Sequence, residues 1–141
     1  RRDRSGFTLV ELMAVLLIIG LLAGIAVQNF MGQTDKARQK ATRASLQVLH
    51  NAVNMFKLDT GRYPTEEEGL LALVEQPSNV DNWDPTGYLE TTEVPTDGWN
   101  NEFVYYLNPE SGKPFVVVSY GADGEEEGEG YNEDLYSTDA Q

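Results

Sequence analysis

Two stretches of this chain hold residues whose types and spacing could do chemistry. The first is a lone carboxylate. Glu11 is the only ionisable side chain between Phe7 and Val27. A charge near the bilayer interior costs roughly 2.5–3.5 kcal/mol on insertion scales, so one retained there needs a reason. It can be a helix-end carboxylate that snorkels to headgroups. Its distance from Gly6 offers another role. Cleavage after Gly6 would leave Phe7 as a new N-terminus with a free amine, and Glu11 would become the fifth residue. Its carboxylate could then neutralise such an amine on a neighbouring chain.

The second stretch is GADGEEEGEGYNEDLYSTDA, with Asp123, Glu125, Glu126, Glu127, Glu129, Glu133, Asp134 and Asp139 close together. Like charges so crowded repel unless a cation sits among them; the alternative is a solvated acidic tail. Counted from Asp123, carboxylates fall at positions 1, 3, 5 and 12, with Gly128 at position 6. That echoes the oxygen placement of an EF-hand loop without being one, since the β-rich PFVVVSY precedes it and Glu stands at positions 3 and 5. Hard oxygen ligands suit Ca²⁺, not Zn²⁺.

No catalytic constellation accompanies these stretches. There is no cysteine, and the single histidine, His50, lies on a mostly polar helix face and reads as a solvated surface residue. The chain has 141 residues with 23 Asp+Glu against 10 Lys+Arg, a net charge of −13. That balance argues against nucleic acid as a partner, because phosphate repels it. With roughly 80 residues left for a globular part, the core is small enough to need a staple. Without cysteine the staple must come from oxygen ligands.

The elements that position these groups follow from pattern. Phe7 to Val27 is apolar throughout apart from Glu11, and as a helix spans about 31 Å, a bilayer core. The small residue Gly6 precedes the run, and no signal-peptidase site follows it, so the run should persist in the mature protein. Arginines at 1, 2 and 4 and basic residues at 36, 38, 40 and 43 flank the run, so charge counting leaves its orientation open. Helix-forming sequence continues to Gly61, with no Pro between Phe7 and Arg62. Ala37, Ala41, Val48, Ala52 and Phe56, widened by Leu49 and Val53, form the expected core stripe of an amphipathic stem. Thr65 followed by three glutamates predicts an N-cap and a short helix before Pro77. EFVYYL and PFVVVSY, joined by Asn108 to Gly112, predict an antiparallel hairpin, with a further strand around Gly87–Leu89. Trp83 and Trp99 read as core or loop-anchoring aromatics.

GFTLVEL ahead of an apolar helix resembles the prepilin class shared by type IV pilins and type II secretion pseudopilins. RYPTEEEGLLALV and GYLETTEVPTDGWNNEFVYY narrow the likeness to the major pseudopilin family, with Asp97-Gly98 where that family has Asp-Pro. The resemblance implies an α+β, type IV pilin-like fold: a long N-terminal helix, transmembrane in its first half and amphipathic in its second, on a small antiparallel sheet with a C-terminal calcium loop. It divides the chain into a leader remnant (1–6), a transmembrane or filament-core helix (7–27), a stem (28–60) and a periplasmic domain (61–141) with the calcium loop at about 120–137. It implies cleavage after Gly6 and N-methylation of Phe7 by a prepilin peptidase, with Phe7 and Glu11 acting in assembly. It implies one Ca²⁺ held by the side chains of Asp123 and Asp134 and the carbonyls of Tyr120 and Glu125, with Ser137 a further candidate. Relatives usually carry Pro where this chain has Gln28.

The function so implied is structural. The chain would be the major subunit of the type II secretion pseudopilus, a homopolymer that helps drive folded exoproteins across the outer membrane. Its partners would be minor pseudopilins, the inner-membrane assembly platform and membrane lipid before assembly. Its place would be a single pass in a Gram-negative inner membrane, leader in the cytoplasm and domain in the periplasm. The alternatives are a type IV pilin for adhesion, motility or DNA uptake, and a tethered calcium-binding module that does not polymerise.

Overall fold

The computed structural model describes residues 6–139, with the side chains of 26–31 outside the description. The expected leader lies mostly outside the described residues, as does the side chain of Gln28. The chain forms two compact units, one ending at Asp35 and one beginning at Lys36. Helix α1 runs over Leu9–Thr60, the long uninterrupted helix expected from the absence of proline.

In the first unit the described apolar side chains stand exposed, Phe7 at 87% just before the helix and Leu17 at 74% on it. Among the described residues no helix is long and apolar enough to cross a membrane, and the described side chains of the apolar run stop at Ile25.

In the second unit α1 turns Thr42, Leu46, Leu49, Ala52, Val53 and Phe56 inward. The expected stripe was therefore half right. Ala37, Ala41 and Val48 are exposed, Val48 at 54%. Steps of four residues advance faster than 3.6 per turn, so a stripe extended through the alanines rotates off the core. Thr42 replaces them as the inward residue. Its Oγ1 donates to the Arg38 carbonyl at 2.9 Å and accepts the Gly98 N–H at 2.9 Å. Gly98 is obligatory at this approach, because a Cβ there would lie 2.5 Å from the Arg38 carbonyl oxygen.

After α1 ends at Thr60, Thr65 closes the turn that leads into the next helix, whose own N-cap is Glu68. The Thr65 N–H donates to Glu68 Oε2 at 2.9 Å, and its Oγ1 accepts the Glu68 N–H at 3.2 Å, a reciprocal capping box. The helix that follows is a short 3₁₀ segment, Gly69–Leu73. Arg62 clamps Glu68 through two 2.7 Å bonds, which hold that carboxyl below its usual range.

The sheet has three antiparallel strands in the order β1 (Val104–Leu107), β2 (Phe115–Ser119), β3 (Leu135–Tyr136). The hairpin and its turn are where the sequence placed them. The strand expected at Gly87–Leu89 does not form. There Tyr88 N–H donates to the Leu73 carbonyl at 2.8 Å, so that segment ties down the end of the 3₁₀ helix. Alternation puts Tyr105, Phe115, Val117 and Leu135 on the core face, against Leu49, Val53, Phe56 and Leu73. Trp83 packs on this cluster and donates Nε1–H to the Ala72 carbonyl at 2.8 Å.

Candidate functional site

The first candidate site opens α1. Thr8 N–H and Thr8 Oγ1 both reach Glu11 Oε2 at 2.9 Å, and Glu11 N–H donates to Thr8 Oγ1 at 3.3 Å. This is the reciprocal arrangement seen again at Thr65 and Glu68. It satisfies N–H groups that a helix start leaves without partners. Glu11 therefore has a role inside its own chain that its apolar surroundings hide, although the T-x-x-E spacing was a sufficient signal. Both bonds fall on Oε2; Oε1 has no partner among the described residues. Gly6 and Phe7 precede the helix and are exposed.

The second site is the loop between β2 and β3. Its base is fixed from a distance by Asp97, a side chain 5% exposed. Asp97 Oδ1 accepts the N–H groups of Trp99 and Asn101, each at 2.9 Å, and Oδ2 accepts the Ser119 hydroxyl at 2.7 Å. Asn101 Nδ2 then donates to the Gly121 carbonyl at 2.9 Å, where the acidic stretch begins. Gly121 has φ +66° and sits where a Cβ would come within 2.7 Å of the Asn132 backbone, so the loop folds across itself there. Ala122 N–H to the Tyr131 carbonyl, 2.8 Å, closes the crossing.

Within the loop, Asp123 Oδ1 accepts the Glu125 N–H at 3.3 Å. Asp134 Oδ2 accepts the Glu127 N–H at 3.2 Å and the Tyr136 hydroxyl at 3.3 Å. Asp134 Oδ1 is buried and has no hydrogen-bond partner. A buried carboxylate oxygen left in that state is costly, and a hard cation is the partner that suits it. Among the described residues no three acidic or histidine side chains gather to hold a metal. The four-carboxylate convergence suggested by the 1, 3, 5, 12 spacing is therefore not formed; a set of two aspartates completed by carbonyls asks for less.

One sequence reading needs correction here, that of His50. Ser137 is 1% exposed, and its hydroxyl is already engaged: it accepts the Val117 N–H at 3.0 Å and lies 3.3 Å from His50 Nδ1. It knits β3 to β2 and to α1. His50 is accordingly not a solvated surface residue. It is half-buried, with its ring 4.7 Å from that of Phe115, and burial, with Lys113 nearby, lowers its pKa. The aromatic at the loop's start is also perturbed: burial, then Tyr106 and Glu126, push the Tyr120 phenol up.

Residues 29–138 match the family described as Type II secretion system (T2SS), protein G, and residues 1–27 match the prokaryotic N-terminal methylation motif. Type II secretion system core protein G of Vibrio cholerae is 40% identical over 136 residues, covering 95% of this chain and 91% of its own length. That of Pseudomonas aeruginosa is 38% identical over 142 residues, covering 99% and 98%. The crystal structure of the major pseudopilin from the type 2 secretion system of enterohaemorrhagic Escherichia coli superposes with a TM-score of 0.63 at 31% identity. It covers 77% of this chain and 92% of that one.

Proposed function

Because the chain belongs to the type II secretion system protein G family, we infer that it is a major pseudopilin: the main structural subunit of a pseudopilus, a helical filament that helps drive folded exoproteins across the outer membrane. The observation that carries this in the molecule itself is the first unit. The helix there has its described apolar side chains exposed around it. It needs lipid before assembly and other helices after it. In our reading the run from Phe7 to Val27 sits in the inner membrane, leader cytoplasmic and domain periplasmic, until a prepilin peptidase cuts after Gly6 and methylates Phe7. Minor pseudopilins and the inner-membrane assembly platform are the further partners of this reading.

Glu11 is the assembly residue. The amine freed at Phe7 of a neighbouring subunit is its counterion, and Oε1 is the atom available for it while Oε2 stays on Thr8. The amine removes the insertion penalty of a bare carboxylate, so pairing favours the polymer over the membrane-held monomer.

Ca²⁺ is the staple of the domain. Asp123 and Asp134 supply side-chain oxygens, and Tyr120 and Glu125 supply carbonyls; the orphaned Asp134 Oδ1 supports this assignment. When bound, the ion neutralises charge the loop cannot otherwise offset. The chain's own residues do the rest: Asp97 and Asn101 hold the loop's start, and Ser137 holds its exit.

The test replaces Glu11 by Ala and measures sheared filaments beside membrane-retained, processed subunit. Loss of filaments with retention and processing intact supports the reading. Filaments at the native level overturn it.

A further inference from the structure

The sheet has a second face. The register pairs Tyr106 with Val116 and Val118 with Tyr136, all four on the side away from the core. Val116 and Val118 are nonetheless buried, at 7% and 2% exposed. They floor an open groove of about 530 Å³ walled by Tyr106, Tyr120 and Tyr136 and rimmed by Glu126. The walls are fixed in place. The Tyr106 and Tyr120 hydroxyls bond to each other, and Tyr120 donates to Glu126 Oε1 at 3.1 Å. Tyr136 donates to Asp134. Aromatic walls with a carboxylate rim are the chemistry that holds an ammonium or guanidinium head, with the ring quadrupole and the carboxylate acting on the same cation.

The chain carries the complementary surface. Lys36, Lys40 and Arg43 stand four and three residues apart on α1, on one side of the helix, and are exposed. Together with Ala37 and Gln39 they line a shallow hollow. Among the described residues none of the three pairs with a carboxylate. A chain with 23 acidic and only 10 basic residues has thus placed Lys36, Lys40 and Arg43 on one short stretch of helix with no carboxylate partner among the described residues. We propose that the tyrosine-lined groove on the outer sheet face of one subunit receives Lys36, Lys40 and Arg43 of a second copy's stem. The inference deepens the pseudopilus reading and rests on it. Glu126 lies outside the proposed calcium ligands, so the rim stays acidic with the ion bound.

The experiment uses the full chain in assembling cells and reads sheared filament yield, membrane retention and domain melting temperature. Glu126→Arg and Arg43→Glu are each expected to lower filament yield about tenfold, the scale of one lost cation–aromatic and ion-pair contact per subunit. Melting temperature and retention should hold. Combining the two variants is expected to restore yield. Because the chain has no cysteine, an Arg43→Cys, Glu126→Cys double variant provides a second measurement that does not reverse charge: treating its filaments with a bis-maleimide long enough to span an arginine–glutamate pair, a reach that a disulfide lacks, should give a ladder of cross-linked subunits. Unchanged yield in both single variants, or a double variant no better than its parents, overturns the proposal. So does the absence of a ladder. Loss of membrane retention in Arg43→Glu with no effect of Glu126→Arg also overturns it, and assigns the stem cations to lipid headgroups. Each of these leaves the pseudopilus reading standing, provided the unmodified chain forms filaments. If the unmodified chain forms none, that reading fails and takes this inference with it.

Discussion

Asp97→Ala removes one small side chain but breaks the joint that holds the acidic loop to the sheet. Three bonds end on this carboxylate, from Trp99 N–H, Asn101 N–H and the Ser119 hydroxyl, and the side chain is 5% exposed. Water does not readily replace it. The hydroxyl can turn to another acceptor, but the two N–H groups are fixed by the turn. Orphaning each costs about 1–3 kcal/mol, so the variant should lose about 4 kcal/mol in all. Against a typical total of about 5–15 kcal/mol this is a large share. At about 4–8 °C per kcal/mol for a domain of this size, the melting temperature should fall by about 15–30 °C. The assay is thermal unfolding of the full chain in detergent, followed by near-ultraviolet circular dichroism. Glu90→Ala, an exposed acidic site, serves as the control and should stay within about 0.5 kcal/mol. A loss below about 1 kcal/mol for Asp97→Ala would refute the reasoning, because it would mean the bonds are replaceable by solvent.

Further outcomes follow from other sites. Chelating calcium should lower the domain's stability by about 1–2 kcal/mol, for an extracellular-type site at millimolar ion; Asp134→Asn should abolish that chelator response in a melting experiment. Gly98→Ala should cost about 2 kcal/mol or more, because its Cβ would collide with the Arg38 backbone, and denaturant titration would show it as a lower midpoint at unchanged slope. His50 has its folded pKa lowered from 6.5, so the unfolded chain takes up a proton first as pH falls. Its contribution is whole above about pH 6.5 and is lost below it, down to the folded value. Melts across that window should show His50→Gln with a shallower acid-side fall than the parent chain.

How much of this was legible depended on whether the signal was local. The hairpin announced itself by two β-rich runs around Asn108 to Gly112, and the box at Thr65 and Glu68 by its spacing. The same T-x-x-E pattern stands at Thr8 and Glu11, but in an apolar run a carboxylate reads first as a membrane problem and only second as a cap. The stem stripe failed at Ala37 and Ala41 because alanine says little about which face is inside, whereas Leu49, Val53 and Phe56 could not be misread. The third strand, Leu135–Tyr136, is two residues set in acidic sequence, too short for any period to register. The hub at Asp97 joins partners as far apart as Ser119, and His50 meets Ser137 across 87 positions. No spacing along the chain encodes such meetings; they exist only once the fold has formed.

The brevity and lateness of β3 have a consequence for how the subunit is made. Its two residues lie near the end of the described chain, yet they supply the second neighbour of β2, the strand buried along its whole length. Until those residues pair, β2 offers an open edge to any other strand. A subunit in which Leu135 and Tyr136 have not yet paired is therefore a ready acceptor for strand exchange, and the interval before they dock is the one in which mispairing has to be prevented.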